Sequence, residues 1–307
     1  MNKYIDPRAN TYSLFEFQSK YGTEQDCEQA LFRLKWPDGF VCPKCGEHHF
    51  TIIHGRRLPL YQCTACRHQT SVITGTIMEN TKLPLAKWFL ALYFAATNKD
   101  GISAMALTKY IDTTLKTAWI LLHKIRSAMG ERENIYYLGG SVEMDEAFFG
   151  GKAEGKRGRG SENKAEVAVA LQLDVRGRPQ LLKMQVIPNA KGEALLAFAE
   201  RNIMEGSTIH SDAFRSYGAL SKKYCCDMQK YEPKSKDERL KWLHVMISNI
   251  KANIEGAYHG LGKRYLQCYL DEFCYRFNRR HSRKPVFDHL LECSVWSPYK
   301  TVAELGI

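Results

Sequence analysis

Two Cys-x-x-Cys pairs, "CPKCG" and "CTAC", stand seventeen residues apart near the start of the chain. This spacing restricts the local fold more than anything else in the sequence. Zn2+ takes four thiolates in a tetrahedron, and each pair offers two from one turn. The hairpin-like "FTIIHGRRLPLYQ" between them would bring the pairs together. Cys42, Cys45, Cys63 and Cys66 are therefore expected to hold a structural zinc ion, with no open coordination position for catalysis. His48, His49 and His54 lie between the pairs and could replace a thiolate, but four cysteines already fill the shell. Cys27, Cys225, Cys226, Cys268, Cys274 and Cys293 lack ligand spacing and read as small core residues.

The charge balance narrows the partner. With 44 Lys and Arg against 33 Asp and Glu, the 307-residue chain carries a formal +11, which suits a polyanion such as DNA. No apolar run reaches the ~18 to 20 residues needed to span a bilayer, and the opening "MNKYIDPRANTYSL" lacks the apolar stretch of a signal peptide. A cytoplasmic protein with reduced thiols, and no membrane partner, is expected.

Periodicity changes along the chain. Residues 11 to 36 read as a helical region that ends at "WPDGF". From 84 to 129 three helical pieces follow: "LPLAKWFLALYFAATN", "GISAMALTKYI" and "TLKTAWILLHKIRSAM". The last two are joined by the short turn "DTT", and the second bears Lys116, His123, Lys124 and Arg126. That pattern reads either as a helix-turn-helix or as an ordinary bundle with solvated basic positions. Beyond "GERENIYYLGG" the period shortens to two: "SVEMDEAFF", "AEVAVALQLDV" and "PQLLKMQVIP" read as strands. A helix "KGEALLAFAERNIM", a strand "GSTIHSD", a short helix "FRSYGALSKKY" and two long amphipathic helices complete a mixed α/β order.

Carboxylates punctuate the strands. Period two puts Glu143 and Asp145 on one face of the first strand, and Val142, Met144 and Glu146 on the other. Burying a carboxylate is costly unless it is paired or bound to metal; the alternative is the wet face of an edge strand. Asp212 ends a second strand two residues after His210, and could equally cap the helix that follows. Two such aspartates on neighbouring strands can hold two Mg2+ or Mn2+ ions for phosphodiester chemistry. On the helix after Lys241, His244, Ser248, Lys251 and Glu255 form one polar stripe, offering an imidazole to a metal and an ammonium to a phosphate. Basic clusters at "GGKAEGKRGRGSENK", with Lys152, Lys156, Arg157 and Arg159, and at "YRFNRRHSRK", with Arg276, Arg279, Arg280 and Arg283, are further phosphate-binding candidates.

Together the ribbon "CPKCG…YQCTACRHQTSVITGTIME", "VEMDEAFFGGK", "HSDAFRSY" and "HVMISNIKANIEGAYHG…YLQCYLDEFCYRFNRR" resemble insertion-sequence transposases of the DDE type with an N-terminal zinc ribbon, the ISXO2-like group. The resemblance covers nearly the whole chain. It implies an RNase H-like catalytic domain, a mixed sheet flanked by helices, spanning 138–292. Before it would come an N-terminal helical segment (1–36), the ribbon (37–80) and a helical, helix-turn-helix-like DNA-binding region (81–132), with a tail at 293–307. It further implies two-metal cleavage and strand transfer at terminal inverted repeats, assembly as at least a dimer on DNA, and a bacterial, nucleoid-associated setting. Carried over by position, Asp145 and Asp212 are the first two catalytic acids, and Lys251 takes the family's lysine role. His244 stands where a glutamate is usual, and Asn249 and Glu255 are the alternatives in a shifted register. The competing functions are a catalytically inactive, transposase-derived DNA-binding regulator and a structure-selective nuclease on the same fold.

Overall fold

The computed structural model describes residues 11–150, 164–229, 240–258 and 261–307. They fall into two compact units, one formed by residues 1–128 with 282–307 and the other by 129–281.

The first unit opens with α1 (Leu14–Tyr21) and α2 (Glu24–Lys35). The helical region expected over 11–36 is thus two helices, and local chemistry explains the break. Ser13 with Glu16, and Thr23 with Asp26, each form a complete capping box, so the second helix has its own start signal. Gly22 lies between them; a Cβ there would sit 2.4 Å from the Gln18 carbonyl oxygen. A small antiparallel sheet follows, in the order β1 (Phe50–Ile53), β2 (Leu60–Cys63) and β3 (Gln69–Thr70). Its aromatic core joins Phe32 and Trp36 of the α2 region to Phe40, Phe50 and Tyr61. Next come α3 (Leu85–Thr97), α4 (Ala104–Ile111) and α5 (Leu115–Glu133), matching the three helical pieces read from sequence; the boundary between the units falls within α5.

The second unit contains β4 (Ser141–Phe149), β5 (Ala165–Leu173), β6 (Pro179–Ile187), α6 (Gly192–Asn202), β7 (Thr208–Asp212), a 3-10 helix (Arg215–Lys222), β8 (Cys225–Gln229), α7 (Lys241–Tyr258) and α8 (Leu266–Asn278). The five strands form one mixed sheet in the order β6-β5-β4-β7-β8. β4, β5 and β6 make an antiparallel meander, whereas β7 runs parallel to β4 and β8 parallel to β7. The short, half-exposed "CCDMQ" of β8 has no apolar alternation and was not expected as a strand.

Alternation gives the sheet two buried faces. Val142 and Met144 of β4 pack with Ala168, Ala170, Leu195, Phe198 and Tyr217 beneath α6 and the 3-10 helix. Ala147 and Phe149 pack with Val167, Val169, Leu243, Ile250 and Leu270 beneath α7 and α8. Glu143 and Asp145, by their parity, share this second face. The outer edge of β6 is closed by side-chain amides rather than by another strand. Asn278 accepts from the Leu182 N–H and donates to the Leu182 carbonyl, while Gln267 does the same for Val186 and Met184. An edge that would otherwise offer unpaired backbone groups is thereby blunted.

After residue 281 the chain returns to the first unit with α9 (Val286–Trp296). Phe287 of α9 meets Phe17, Tyr21 and Phe89 in an aromatic cluster. Residues 282–292 therefore lie with the N-terminal helices and not with the sheet. Among the described residues, no helix is long and apolar enough to cross a membrane.

Candidate active site and metal centre

In the ribbon the two knuckles repeat one geometry. The Gly46 N–H donates to the Cys42 carbonyl and the Arg67 N–H to the Cys63 carbonyl, at 2.9 and 3.1 Å. The residue after each second cysteine is left-handed, Gly46 at φ 78° and Arg67 at φ 60°. Glycine suits this conformation; Arg67 adopts it at some cost, which closing a metal site can offset. The Sγ atoms of Cys42 and Cys66 lie 3.6 Å apart and those of Cys45 and Cys63 3.5 Å apart. A tetrahedron with Zn–S bonds of ~2.3 Å has edges of about 3.8 Å, so the four sulfurs fit zinc. Among the described residues, they are the only group of three or more histidine, cysteine or carboxylate ligand atoms lying within 4.8 Å of one another. His49 is outside this group, its Nδ1 2.7 Å from Glu47 Oε1.

In the second unit, the sheet and α7 bring the strand-end residues together. The parallel register pairs Ser141 with Thr208 and Glu143 with His210. Two residues further along both strands are Asp145 and Asp212, on the same face. From α7, His244 Nε2 reaches to 3.2 Å from Asp145 Oδ2. This bond is the main reason the His244 pKa is raised, with Glu143 and Asp212 adding to it and burial opposing it. Asp212 also accepts from the Phe214 N–H at 3.1 Å, so it turns the chain out of β7 while keeping a carboxylate oxygen at the strand end. The three groups form a more open set than the cysteines. Their oxygen and nitrogen donors fit a hard or borderline divalent cation.

Lys251 lies seven residues after His244, about 10 Å along the helix axis. Its Nζ is 5.6 Å from the centre of the Phe149 ring, four residues after Asp145 on β4. α7 therefore runs alongside β4 in the same sense, and its polar stripe follows the strand. Burial lowers the Lys251 pKa, as does neighbouring Lys164, against the pull of Asp145 and Glu255. Lys251 and Glu255 line a cavity of about 410 Å3 with Phe148, Phe149, Ile254 and Leu266. Glu255 is eleven residues from His244, about 16 Å along the axis, too far to share a ligand sphere with it. Asn249 is exposed and lies about 140° around the helix from His244.

The basic candidates divide sharply. Lys116 is exposed in the first turn of α5. Lys124 is turned inward, donating to the Ile77 carbonyl and resting 4.4 Å from the Tyr299 ring centre. Arg126 is buried and donates to the Ile102 carbonyl. Arg279 is buried against Glu133 and the Tyr275 ring. Arg280 is pinned to the Gln180 and Pro179 carbonyls. Lys124, Arg126, Arg279 and Arg280 are therefore corrected from phosphate contacts to internal struts: in each, carbonyls, an acid or an aromatic ring take up the donors. Arg157 and Arg159 lie outside the described residues.

Sequence reasoning put Glu143 beside Asp145 and His210 beside Asp212 but found no partner for either. Buried Glu143 bonds the first turn of α7, accepting from the Leu243 N–H at 3.0 Å. His210 stands between Ser141 Oγ and Asp227 Oδ2, 3.1 Å from each. The parity of Glu143 marked its face, but only the packing of α7 gave it a partner. Glu146, on the opposite face, accepts from the Tyr217 hydroxyl at 2.9 Å.

Residues 137–278 match the ISXO2-like transposase domain, and residues 22–69 match the transposase zinc-ribbon domain. An uncharacterized protein in transposable element ISH50 of Halobacterium salinarum is 26% identical over 213 residues, covering 64% of this chain and 70% of that protein. With a four-cysteine centre within the zinc-ribbon match and the sheet with α7 and α8 within the ISXO2-like match, the chain belongs to the insertion-sequence transposases that join a zinc ribbon to an ISXO2-like DDE domain.

Proposed function

We propose that this chain is an active transposase that cleaves the ends of its element and joins them to target DNA. The observation that carries the reading is the convergence of Asp145 and His244 at 3.2 Å, with Asp212 in the next register position of the adjacent parallel strand. The strand order, an antiparallel meander followed by two strands parallel to its first, supports an RNase H-like catalytic domain. Mg2+ or Mn2+ bound by these residues would activate the attacking oxygen and stabilise the leaving oxygen of a phosphodiester. Asp145 and Asp212 supply the negative charge that holds cations at the strand ends, and His244 completes the set from the helix. Lys251, held against Phe149, presents its ammonium to the phosphate backbone of the bound strand. The first step leaves a 3′-hydroxyl; the second is in-line attack by that hydroxyl, and neither requires a covalent enzyme intermediate.

The zinc ribbon and the α4–α5 pair, with exposed Lys116, are the elements we assign to binding the terminal inverted repeats. We further propose that it pairs two ends as at least a dimer on DNA, in a bacterial, nucleoid-associated setting. The test is end cleavage and strand transfer by purified protein with Mg2+ or Mn2+ on DNA carrying the element's own ends. Asp145→Ala and Asp212→Ala should each abolish both steps while end binding persists. Failure of the unaltered protein to nick those ends would favour the inactive regulator, and cleavage without joining or end preference would favour a nuclease.

A further inference from the structure

Glu143 lies two residues before Asp145 on the same face of β4 and is only 7% exposed. Burying a carboxylate this deeply requires a partner, and the partner is a helix end. Its Oε2 accepts from the N–H of Leu243, the third residue of α7, at 3.0 Å. The first turn of any α-helix leaves its amides without intrahelical acceptors. Usually a Ser, Thr, Asp or Asn at the cap position supplies one. In α7 the first helical bond, from the His244 N–H, goes to the carbonyl of Leu240, so the cap position holds a leucine, in a left-handed conformation at φ 57°. An acid from the neighbouring strand does the work instead, and its charge also faces the positive end of the helix dipole. His210, the register partner of Glu143 on β7, is held between Ser141 and Asp227.

The residue after Leu243 is His244, whose Nε2 meets Asp145, and Asp145 is two residues along the strand from Glu143. Glu143, which the Leu240 backbone also bonds, therefore ties the strand bearing the first aspartate to the start of the helix bearing the third site residue. We propose that Glu143 is a positioning residue: by anchoring the first turn of α7 to β4 it sets His244 against Asp145. This rests on the reading of Asp145 and His244 as active-site residues. Glu143 touches neither substrate nor the reacting atoms; it acts through the helix. A misplacement of about 1 Å in such a site costs roughly 100-fold in rate.

The test pairs kinetics with amide hydrogen exchange on the full-length protein. Glu143→Ala should speed exchange at Leu243 and His244 at least ~10-fold, leave the core amides of α7 near Ile250 and Ile254 protected, and lower end cleavage about 100-fold without weakening DNA binding. Glu143→Gln keeps an amide oxygen that can accept from the Leu243 N–H, and should restore protection and most of the rate. Should Glu143→Ala fail to fold, Glu143→Asp, one methylene shorter, should show the same local loss. Unchanged exchange at Leu243 and His244 in the folded variant would overturn the anchoring. So would a Gln variant as slow as Ala with normal exchange, which would mean that the carboxylate acts by its charge. Exchange needs no catalysis, so if Asp145→Ala leaves cleavage intact, the active-site reading falls while the anchoring is still decided separately.

Discussion

Arg279 looks from sequence like one of several phosphate-binding arginines, and the structure assigns it a different task. Its Nη1 lies 2.5 Å from Glu133 Oε1 and 3.0 Å from the Tyr275 carbonyl, and its guanidinium stacks 3.5 Å from the centre of the Tyr275 ring. Both side chains are at most 10% exposed. Glu133 also accepts from Asn278 at 2.6 Å and from the Tyr136 hydroxyl. Arg279→Met would keep much of the apolar stem but leave the Glu133 carboxylate buried without its counter-charge. Breaking a buried pair on one side typically costs about 3 to 5 kcal/mol. In a unit of this size each kcal/mol moves the midpoint by roughly 2 to 4 °C, so the sheet-bearing unit should melt about 10 °C lower. DNA affinity, measured below the new midpoint across a salt series, should keep its slope, because no phosphate contact is lost. Lys116→Ala supplies the contrast: an unchanged midpoint and a slope shallower by about one. If Arg279→Met left the midpoint unchanged and flattened the slope by about one, the reasoning from burial would be refuted.

Three further outcomes follow from particular contacts. Replacing Cys42 and Cys63 by serine should reduce bound zinc from one per chain to none and impair end recognition; full retention after both changes would refute the ribbon centre. His244→Glu should favour Mg2+ relative to Mn2+ in cleavage, since an imidazole is the softer ligand and a carboxylate suits Mg2+; an unchanged metal preference would remove His244 from the metal shell. Asp271 is half-buried, bonded to Gln267, and its desolvation carries the carboxyl from 3.8 to about 7. The folded chain then keeps a proton that the unfolded chain releases between about pH 4 and 7, so this group's stabilising contribution falls as pH rises through that window and levels off above it. Asp271→Asn should remove up to roughly 3 kcal/mol of that decline between pH 5 and 8, read by unfolding; identical pH profiles would contradict the assignment.

The capping boxes at Ser13 and Thr23 were present in the sequence as Ser-x-x-Glu and Thr-x-x-Asp, yet apolar periodicity alone merged α1 and α2 into one region. β8 was illegible because its pairing with β7 comes from backbone bonds at the sheet margin, which leave no apolar signature in "CCDMQ". α9 has a clear apolar face, but nothing local says that it returns to α1 and α3.

What the sequence determined by itself is chemistry with short reach. Thiolate spacing in Cys42, Cys45, Cys63 and Cys66 set the metal centre, because two ligands per turn and one hairpin leave little conformational choice. Period two put Glu143 and Asp145 on one face, and period 3.6 put His244 and Lys251 on one stripe. What only the tertiary structure decided is which of these groups meet. The register of β4 with β7 pairs Glu143 with His210, two residues before Asp145 and Asp212, and the packing of α7 gives Glu143 an amide and Asp145 an imidazole. It likewise buried Arg126 and Arg279 and tied the half-buried Lys124 and Arg280 to backbone carbonyls. The reason is physical: charge and periodicity are properties of a residue and its near neighbours, whereas burial and pairing depend on segments up to a hundred residues and more away.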